Sequence, residues 1–398
     1  MNRHFLRDIA DIQTGPFGSQ LHKEDYVDIG TPIVTVEHLG NRVFTEQNLP
    51  KVSDEDKARL SKYVLKEGDI VFSRVGSVDR CSYVDAAHDG WMFSGRCLRV
   101  RPNTEVDPLY LYYFFCLEDT KQFVRNIAVG ATMPSINTKL LGEVEVAYPS
   151  QTEQQKIVAL LSALDDKIEI NQKINDNLQQ QAAAIFRSWF VDYAPFGGTA
   201  PNEWKNVTLE EITALVSRGI TPKYADDADQ IVINQKCIRN HMIDLSLARS
   251  HKPKVINDKW LRFGDLLINS TGDGTLGRAA QVWFQPHNLT VDSHVTIVRP
   301  AAENMTFYIG LWGTQHEREI ESLHTGSTGQ TELPRDRVKA LELLLPDKET
   351  LNRFNALIAP MAATIVSNQE ENNRLVSIRD ALLPRLMSGE IDVSAIQI

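Results

Sequence analysis

Side chains that can hydrogen-bond to nucleic-acid bases cluster in short polar segments of the sequence, notably SRVGSVDR (73–80), NQK (234–236) and NSTGDGTLGR (269–278). Arginine reads guanine edges, asparagine and glutamine read adenine, and lysine holds phosphates. We therefore interpret these segments, with their flanks, as DNA-contacting loops; the alternative is that they are ordinary surface loops. The candidate contacts are Ser73, Arg74, Ser77, Arg80, Arg96, Asn234, Gln235, Lys236, Arg239, Asn269, Ser270, Thr271 and Arg278.

Basic residues are locally dense although the chain is acidic overall, with a net charge of −10. The net charge argues weakly against a nucleic-acid partner, but the location of charge matters more than its sum. In the second half, basic residues follow one another at Lys236, Arg239, Arg249, Lys252, Lys254, Lys259 and Arg262. In the first half the cluster is Arg74, Arg80, Arg96, Arg99 and Arg101. These clusters favour double-stranded DNA as a partner.

The sequence lacks the motifs of catalysis. GDGTLG (272–277) fits the dinucleotide-binding pattern, but that pattern requires a following helix, and RAAQVWFQP reads as a strand. No phosphate-binding GxxxxGK[ST] loop, HExxH metal motif or Asn-Pro-Pro-aromatic methyltransferase motif is present. We predict a non-catalytic chain with no metal site and no cofactor of its own. An enzyme that uses the Gly272 loop is the alternative.

The positions of these loops follow an internal duplication. LKEGDIVFSRVGS (65–77) is repeated as LRFGDLLINSTGD (261–273), at an offset of 196 residues. GAT and GST, two proline positions and two Arg-Pro pairs repeat in the same order at offsets of 196 to 198. A nearly constant offset over several ordered markers indicates a tandem repeat.

Each repeat contains an α+β region followed by a long helix. Short apolar runs bounded by Gly, Pro, Asn and Asp predict strands, and LYLYYFFCL and FYIGLWGTQHEREIESL predict helices between them. Long helices are expected after Pro149 and Pro346, at about 152–190 and 349–387. The predicted domains are 1–150, a spacer helix 151–192, a linker 193–204, a second domain 205–347, and a spacer helix with tail 348–398.

The two long helices share a heptad-like apolar seam that contains two asparagines in each copy. Pairing the helices antiparallel places every seam position opposite another and predicts that Asn171 faces Asn372 and Asn175 faces Asn368. A central polar layer sets register, because a slip leaves an amide against apolar side chains. The alternative is that the asparagines lie on a solvated face. Pro360 predicts a kink in the second helix only.

Length and composition are those of a soluble protein with two or three domains. No run of 18 apolar residues predicts a membrane span, and the N-terminus lacks a signal peptide. The four cysteines show no CxxC spacing, which favours free thiols in a reducing cytoplasm.

The chain resembles the specificity subunit of Type I restriction–modification systems over essentially its whole length. The residues that carry the resemblance are TGPFGSQLHKEDY with GTPIVTV, LKEGDIVFSRVG, YPSQTEQQKIVALLSALDDKI, SRGITPKY, GDLLINSTGDGTLGR and LLPRLMSGEIDV. The beginning of the second helix, LPDKETLNRF, departs from the Glu-Gln pattern of the first.

The resemblance implies two mixed α/β target recognition domains joined by two long antiparallel coiled-coil helices with a pseudo-two-fold repeat. Each domain would read half of a bipartite site, and the helices would set the gap and dock two methyltransferase subunits. Restriction/translocase subunits would join through these, and S-adenosylmethionine and ATP with Mg²⁺ would bind the partner subunits. The alternatives are a specificity subunit of a related system whose methyltransferase also cleaves, or a coiled-coil scaffold that binds no DNA.

Overall fold

The computed structural model of the chain describes residues 1–394 apart from positions 17, 19, 131, 227, 273 and 327–330, and it divides into two compact units. Unit 1 contains Met1–Ile168 together with the chain from Arg374 onward, and unit 2 contains Glu169–Asn373. Each unit therefore includes part of both long helices. Positions 131, 327 and 328 of the GAT and GST markers lie outside the described residues.

Unit 1 is built from an antiparallel sheet, a mixed sheet and a separate strand pair. The sheet orders are β2-β9-β6-β7, β3-β5-β4-β8 with β4 and β8 parallel, and β1-β10. The strands are β1 (Asn2–Phe5), β2 (Ala10–Thr14), β3 (Tyr26–Val27), β4 (Thr31–Val34), β5 (Lys51–Val52), β6 (Ile70–Ser73), β7 (Cys81–Tyr83), β8 (Met92–Phe93), β9 (Cys97–Pro102) and β10 (Glu145–Tyr148). The helices are α1 (Leu6–Ile9), α2 (Asp54–Arg59), α3 (Pro108–Cys116), α4 (Glu118–Ile127), α5 (Thr138–Leu141) and the first part of α6 (Gln151–Phe190).

Unit 2 repeats this plan. Its sheet orders are β12-β20-β17-β18, β16-β13-β19 with β13 and β19 parallel, β11-β21 and β14-β15. The strands are β11 (Lys205–Thr208), β12 (Thr213–Arg218), β13 (Gln230–Ile233), β14 (Ile238–Arg239), β15 (Met242–Ile243), β16 (Arg249–His251), β17 (Leu266–Asn269), β18 (Ala279–Gln281), β19 (Leu289–Val291), β20 (Val295–Pro300) and β21 (Glu342–Leu345). The helices are α7 (Thr306–Gln315), α8 (Glu317–Ser322), α9 (Arg335–Lys339) and α10 (Lys348–Met387). The runs predicted as strands, PIVTVEHL, DIVFSRVG, CLRVRP, EVEVAYP, QIVINQ, DLLINST, HVTIVRP and ALELLLP, each contain a strand, and the predicted helices are present.

A buried ion pair occupies the same position in the two antiparallel sheets. In unit 1 the Asp69 carboxylate accepts hydrogen bonds from Arg101 at 2.6 and 2.7 Å, and in unit 2 Asp265 accepts from Arg299 at 2.8 and 2.7 Å. Each aspartate also accepts the backbone N–H three residues before it, at 2.8 Å. A bidentate pair with this additional bond leaves few polar atoms unsatisfied, so it fixes strand β6 against β9 and β17 against β20.

The two long helices begin with different caps. At α6 the Glu153 carboxylate accepts from the Ser150 N–H (3.1 Å) and hydroxyl (2.6 Å). At α10 the Asp347 carboxylate accepts from the Thr350 N–H (2.9 Å) and hydroxyl (2.6 Å). The carboxylate has moved from the third helical position to the capping residue, which explains why the sequence of the second helix departs from the Glu-Gln pattern. α10 continues through Pro360; a bend at this proline stays a prediction.

The helix seam agrees with its prediction at the centre and drifts at the ends. Asn171 donates to Asn372 at 2.8 Å, and Asn368 donates to Asn175 at 2.8 Å. Toward the ends, most predicted seam positions are buried as well: Ile157, Leu161, Ile168, Ala182, Phe354, Ile358, Ile365 and Leu386. Four others are only partly buried, namely Leu164, Ile185, Met361 and Leu382, and the residue after each of them is the buried one. A straight helix has 3.6 rather than 3.5 residues per turn, so a strict 3.5-residue pattern is displaced where the helices pack on the rest of each unit.

Candidate nucleic-acid interface

The two glycine-containing loops predicted to contact DNA occupy the same place in their units. The Arg74 N–H donates to the Arg96 carbonyl, and the Ser270 N–H donates to the His294 carbonyl, each at 2.8 Å. The carbonyls of Arg74 and Ser270 in turn accept from a strand-like segment, at Ile136 (2.9 Å) and Leu333 (2.8 Å). Arg74 therefore corresponds to Ser270, and Arg96 to His294.

A short helical turn follows β4 in unit 1 and β13 in unit 2, beside these loops. The Ser94 N–H donates to the Val34 carbonyl (2.8 Å), and the Asp292 N–H donates to the Ile233 carbonyl (2.9 Å). The turns that follow, Val36–His38 and Gln235–Cys237, are therefore equivalent. Their central residues are Glu37 and Lys236, both exposed.

In unit 1 these segments border an open cleft of about 480 Å³. Charged residues from three different segments line it: Glu37, Arg74 and Arg96. Arg74 donates to the Gly95 carbonyl at 3.0 Å, which orients its guanidinium. Tyr26 lies at the edge of the cleft, 38% exposed. Burial, followed by the charge of Asp25, raises the pKa of Tyr26, so its hydroxyl stays protonated and can donate.

In unit 2 the equivalent region is a hydrogen-bonded network. The Thr271 hydroxyl contacts Gln235 Oε1 at 3.1 Å and His294 Nδ1 at 2.8 Å, and Asn269 donates to the Gln235 carbonyl at 3.0 Å. Asn234 caps the turn by accepting the Lys236 N–H at 2.9 Å. The network brings NQK (234–236) together with the loop that begins at Asn269.

Three of the predicted contact residues are buried and serve the fold instead. Ser73, Asn269 and Ser270 are 2%, 0% and 0% exposed. Ser73 donates to the Val75 carbonyl at 2.7 Å, and Ser270 shares a 2.6 Å hydrogen bond with Thr296. In this structure they are inaccessible to DNA because each ends a buried strand, where polar residues anchor the loop backbone.

The remaining predicted contacts lie at the surface of their units. The exposed ones are Ser77, Arg80, Arg96, Lys236 and Arg239, and the half-buried ones are Arg74, Asn234, Gln235, Thr271 and Arg278. Arg80 and Arg278 are equivalent, because their carbonyls accept from Ser73 and Asn269 at 2.9 Å. Arg80 also donates to the Leu39 carbonyl.

The basic cluster of the first half is only partly a surface feature. Arg101 pairs with buried Asp69, and Arg99 is 3% exposed and pairs with Asp11. Their place in β9 explains this. Residues two apart in a strand point to the same face of the sheet, where Arg99 reaches Asp11 on β2 and Arg101 reaches Asp69 immediately before β6. Counting basic residues along the sequence could not separate these from exposed Arg96.

Three surface positions beside the loops escaped the sequence reasoning. Glu37 carries the wrong charge for a basic patch, and His294 is one of ten histidines without a motif. Tyr26 corresponds to Tyr224, since each pairs with equivalent strands at Val52 and His251. Tyr224 is 40% exposed and stacks under Arg249, whose guanidinium carbon lies 3.6 Å from the ring centroid. The only available signal was the tyrosine repeated at an offset of 198.

The Gly272–Gly277 segment is followed by strand β18 and not by a helix, as predicted, although Asp273 lies outside the described residues. A pyrophosphate site of the dinucleotide-binding type needs a helix N-terminus at this point. Within the described part of the chain, no group of three or more His, Cys, Asp or Glu residues could hold a metal ion. No helix in that part is long and apolar enough to cross a membrane.

Comparison with known proteins places these features in context. Residues 2–180 match the family described as the Type I restriction modification DNA specificity domain. The chain is 26% identical to the Type I restriction enzyme MjaIX specificity subunit of Methanocaldococcus jannaschii, over 98% of this chain and 93% of the relative. It is 23% identical to the HindI specificity subunit of Haemophilus influenzae, over 85% and 89%.

A similar fold is found in the crystal structure of the S subunit of a Type I restriction–modification system from M. genitalium. The TM-score is 0.53 with 16% identity, over 97% of this chain and 95% of that one.

Proposed function

We propose that this chain, which belongs to the family of Type I restriction–modification specificity subunits, reads a bipartite DNA site with one half-site recognised by each unit. The observation that carries the proposal is a repeated frame with unrepeated surface side chains. The buried ion pairs Asp69–Arg101 and Asp265–Arg299 are the same chemistry in both units. At the loops, by contrast, several equivalent side chains differ in charge or hydrogen-bonding type, although Arg80 and Arg278 are both arginines.

Differences at equivalent surface positions are what two readers of different sequences require. Direct readout depends on matching donors and acceptors to base edges, while the frame only has to hold the loops. Arg96 corresponds to His294, and Glu37 to Lys236, so the two units present different patterns.

The long helices are proposed to set the gap between the half-sites and to dock two methyltransferase subunits, through which restriction subunits join. S-adenosylmethionine, ATP and Mg²⁺ would then act on those partners, and this chain would be non-catalytic. The missing catalytic motifs in the sequence support this assignment. Turnover of S-adenosylmethionine by the purified chain alone would contradict it.

The direct test is to express the chain with its methyltransferase and to map methylated bases across the genome. The expected motif has two specific half-sites separated by a fixed unspecified gap. Replacing residues 1–150 with the equivalent region of a relative should change one half-site and leave the other unchanged. A change in both half-sites, or a motif without a gap, would contradict independent reading.

A further inference from the structure

The residue at the centre of the turn after β4 and β13 reverses its charge between the units. Glu37 in unit 1 is exposed at the cleft, and among the described residues its carboxylate has no hydrogen-bond or ion-pair partner. This is notable because Arg74 and Arg96 line the same cleft. At the equivalent position unit 2 carries Lys236. Unit 1 therefore presents a hydrogen-bond acceptor and unit 2 a donor at the same position of the same fold.

The turn holds Glu37 in a defined position. Thr35 N–H donates to His38 Nδ1 at 3.0 Å, and the opposite ring nitrogen, Nε2, lies 3.0 Å from the Gln47 carbonyl. This pair of contacts assigns the proton to Nε2, since Nδ1 must accept. His38 is 3% exposed. Hydrogen bonds thus hold the residues on both sides of Glu37, at Thr35 and at His38.

A carboxylate in a DNA-binding cleft has few compatible partners. It is repelled by phosphates and by the O6 and N7 acceptors of guanine, and it can accept from the amino groups of cytosine (N4) and adenine (N6). Cytosine is the better partner because the adenine amino group lies beside the N7 acceptor, which repels a carboxylate. Lysine has the opposite preference and donates to guanine O6 and N7. We infer that Glu37 reads a cytosine in the half-site of unit 1 and that Lys236 reads a guanine in the half-site of unit 2. This inference rests on the proposed function.

The test measures binding of the chain, in complex with its methyltransferase, to duplexes that carry single base-pair substitutions in the methylated motif. Wild type should discriminate against replacement of one C·G pair in one half-site by roughly 5- to 150-fold. E37Q, which keeps an acceptor oxygen but loses the charge, should lower that discrimination at this position alone. E37K should move the preference at the same position toward guanine.

The matched control is Glu55, an exposed carboxylate in the first turn of α2 that does not line the cleft. E55Q and E55K change the net charge as the cleft variants do and should leave every base preference unchanged. Unchanged preferences in E37Q, or a uniform loss of binding on all duplexes, would overturn the inference for Glu37. If the wild-type complex methylates a bipartite motif, the proposed function stands after either result. If the wild-type complex methylates no bipartite motif, the proposed function itself is wrong.

Lys236→Gln provides the reciprocal experiment in unit 2. Discrimination at one G·C pair of the other half-site should fall, with the half-site of unit 1 unaffected. A lysine that holds only phosphate would instead weaken binding to all duplexes equally and reduce its salt dependence. That result would overturn the assignment of Lys236.

Discussion

Asp165 on α6 accepts hydrogen bonds from Arg379 on α10 at 2.8 Å and from the Tyr113 hydroxyl at 2.7 Å. The positions related to Asp165 and Arg379 by the repeat, Ala362 and Ala182, are both fully buried alanines. The same site between the helices is thus filled by a charged network in unit 1 and by two small apolar side chains in unit 2. Burial and the Asp165 carboxylate both raise the pKa of Tyr113, so its hydroxyl remains a donor.

Removing Arg379 alone should destabilise the chain more than removing Asp165, Arg379 and the Tyr113 hydroxyl together. Arg379→Ala leaves the buried Asp165 carboxylate without its cation and should lower the free energy of unfolding by about 1–3 kcal/mol, a range reduced by the partial exposure of Arg379. The variant with both Asp165→Ala and Arg379→Ala, together with Tyr113→Phe, copies the apolar solution of unit 2 and should be less destabilised. Chemical denaturation of the full chain measures this. Additive losses would show that the network is not coupled.

His251 should make the stability of unit 2 sensitive to acid. Its ring is 1% exposed, and neither ring nitrogen has a hydrogen-bond partner of normal geometry among the described residues. Burial, reinforced by the charge of Lys254, lowers its pKa, although the backbone at Lys252 opposes this. An unperturbed histidine has a pKa of about 6.5, so below this pH His251 binds more protons in the unfolded chain than in the folded one. The free energy of unfolding should therefore fall as the pH decreases through that value.

The equivalent residue in unit 1 is Val52, also buried, so His251→Val is the natural variant. It should reduce the acid-dependent loss of stability between about pH 7 and 5, with a change in slope of no more than about 1.4 kcal/mol per pH unit. Melting temperatures across this range provide the measurement, and His287→Val, at a surface position, is the control. The same slope in His251→Val and wild type would contradict the prediction.

The asparagine layer should determine helix register more than stability. Asn171→Leu with Asn372→Leu removes both members of one hydrogen-bonded pair, so no amide of that pair remains unsatisfied. The fold should persist, and the gap in the methylated motif should become less uniform. Lys173→Leu with Glu370→Leu adds the same apolar groups at exposed positions and should leave the gap unchanged. A single unchanged gap in the asparagine variant would argue against a role in register.

Lengthening both helices together should lengthen the gap. Four residues inserted after Lys173 and four after Glu370, with the apolar pattern maintained, add about 6 Å to each helix. At roughly 3.4 Å per base pair this is close to two base pairs. Four residues slightly exceed one helical turn, and DNA twist has to match the resulting rotation, so a gap longer by one base pair also agrees with the prediction. Both half-site sequences should be retained. Methylation mapping reads the result, and a gap that stays constant in an active variant would exclude the helices as the spacer.

The control for this experiment is an insertion of four residues after Gly197. Gly197 and its neighbour Gly198 are exposed, and an ideal Cβ on either meets nothing within 4 Å. The loop can therefore accept added residues, and the motif should be unchanged. A longer gap from this insertion would mean that the linker contributes to spacing.

The strands and helices were largely predictable because the duplication presents each sequence pattern twice. Strands β6 and β17 and the beginnings of α6 and α10 were readable from alternation, Gly-Asp turns and proline positions. The burial of Asp165 beside the outer seam was not, because this polar residue is paired with Arg379 and Tyr113, far away in sequence. A 3.5-residue period cannot register such a partner.

The binding surface was predictable only in part, for a related reason. Residue type identified Arg74 in unit 1 and Gln235 and Lys236 in unit 2 as possible contacts, and the loops of each unit determine where these side chains lie. Type alone could not distinguish exposed Arg96 from buried Arg99, which requires knowing the face of β9. It also passed over Glu37, whose interest arises only from its equivalence to Lys236.

The separation between Asp69–Arg101 and the cleft that holds Glu37 has a consequence for how such chains diversify. Under the proposed function, the aspartate–arginine pairs stabilise the fold and the recognition residues lie outside them, so a unit can change the half-site that it reads without losing stability. With two such units on one chain, m variants of the first unit and n variants of the second combine to recognise m times n bipartite sites. Only m plus n unit variants have to arise for this.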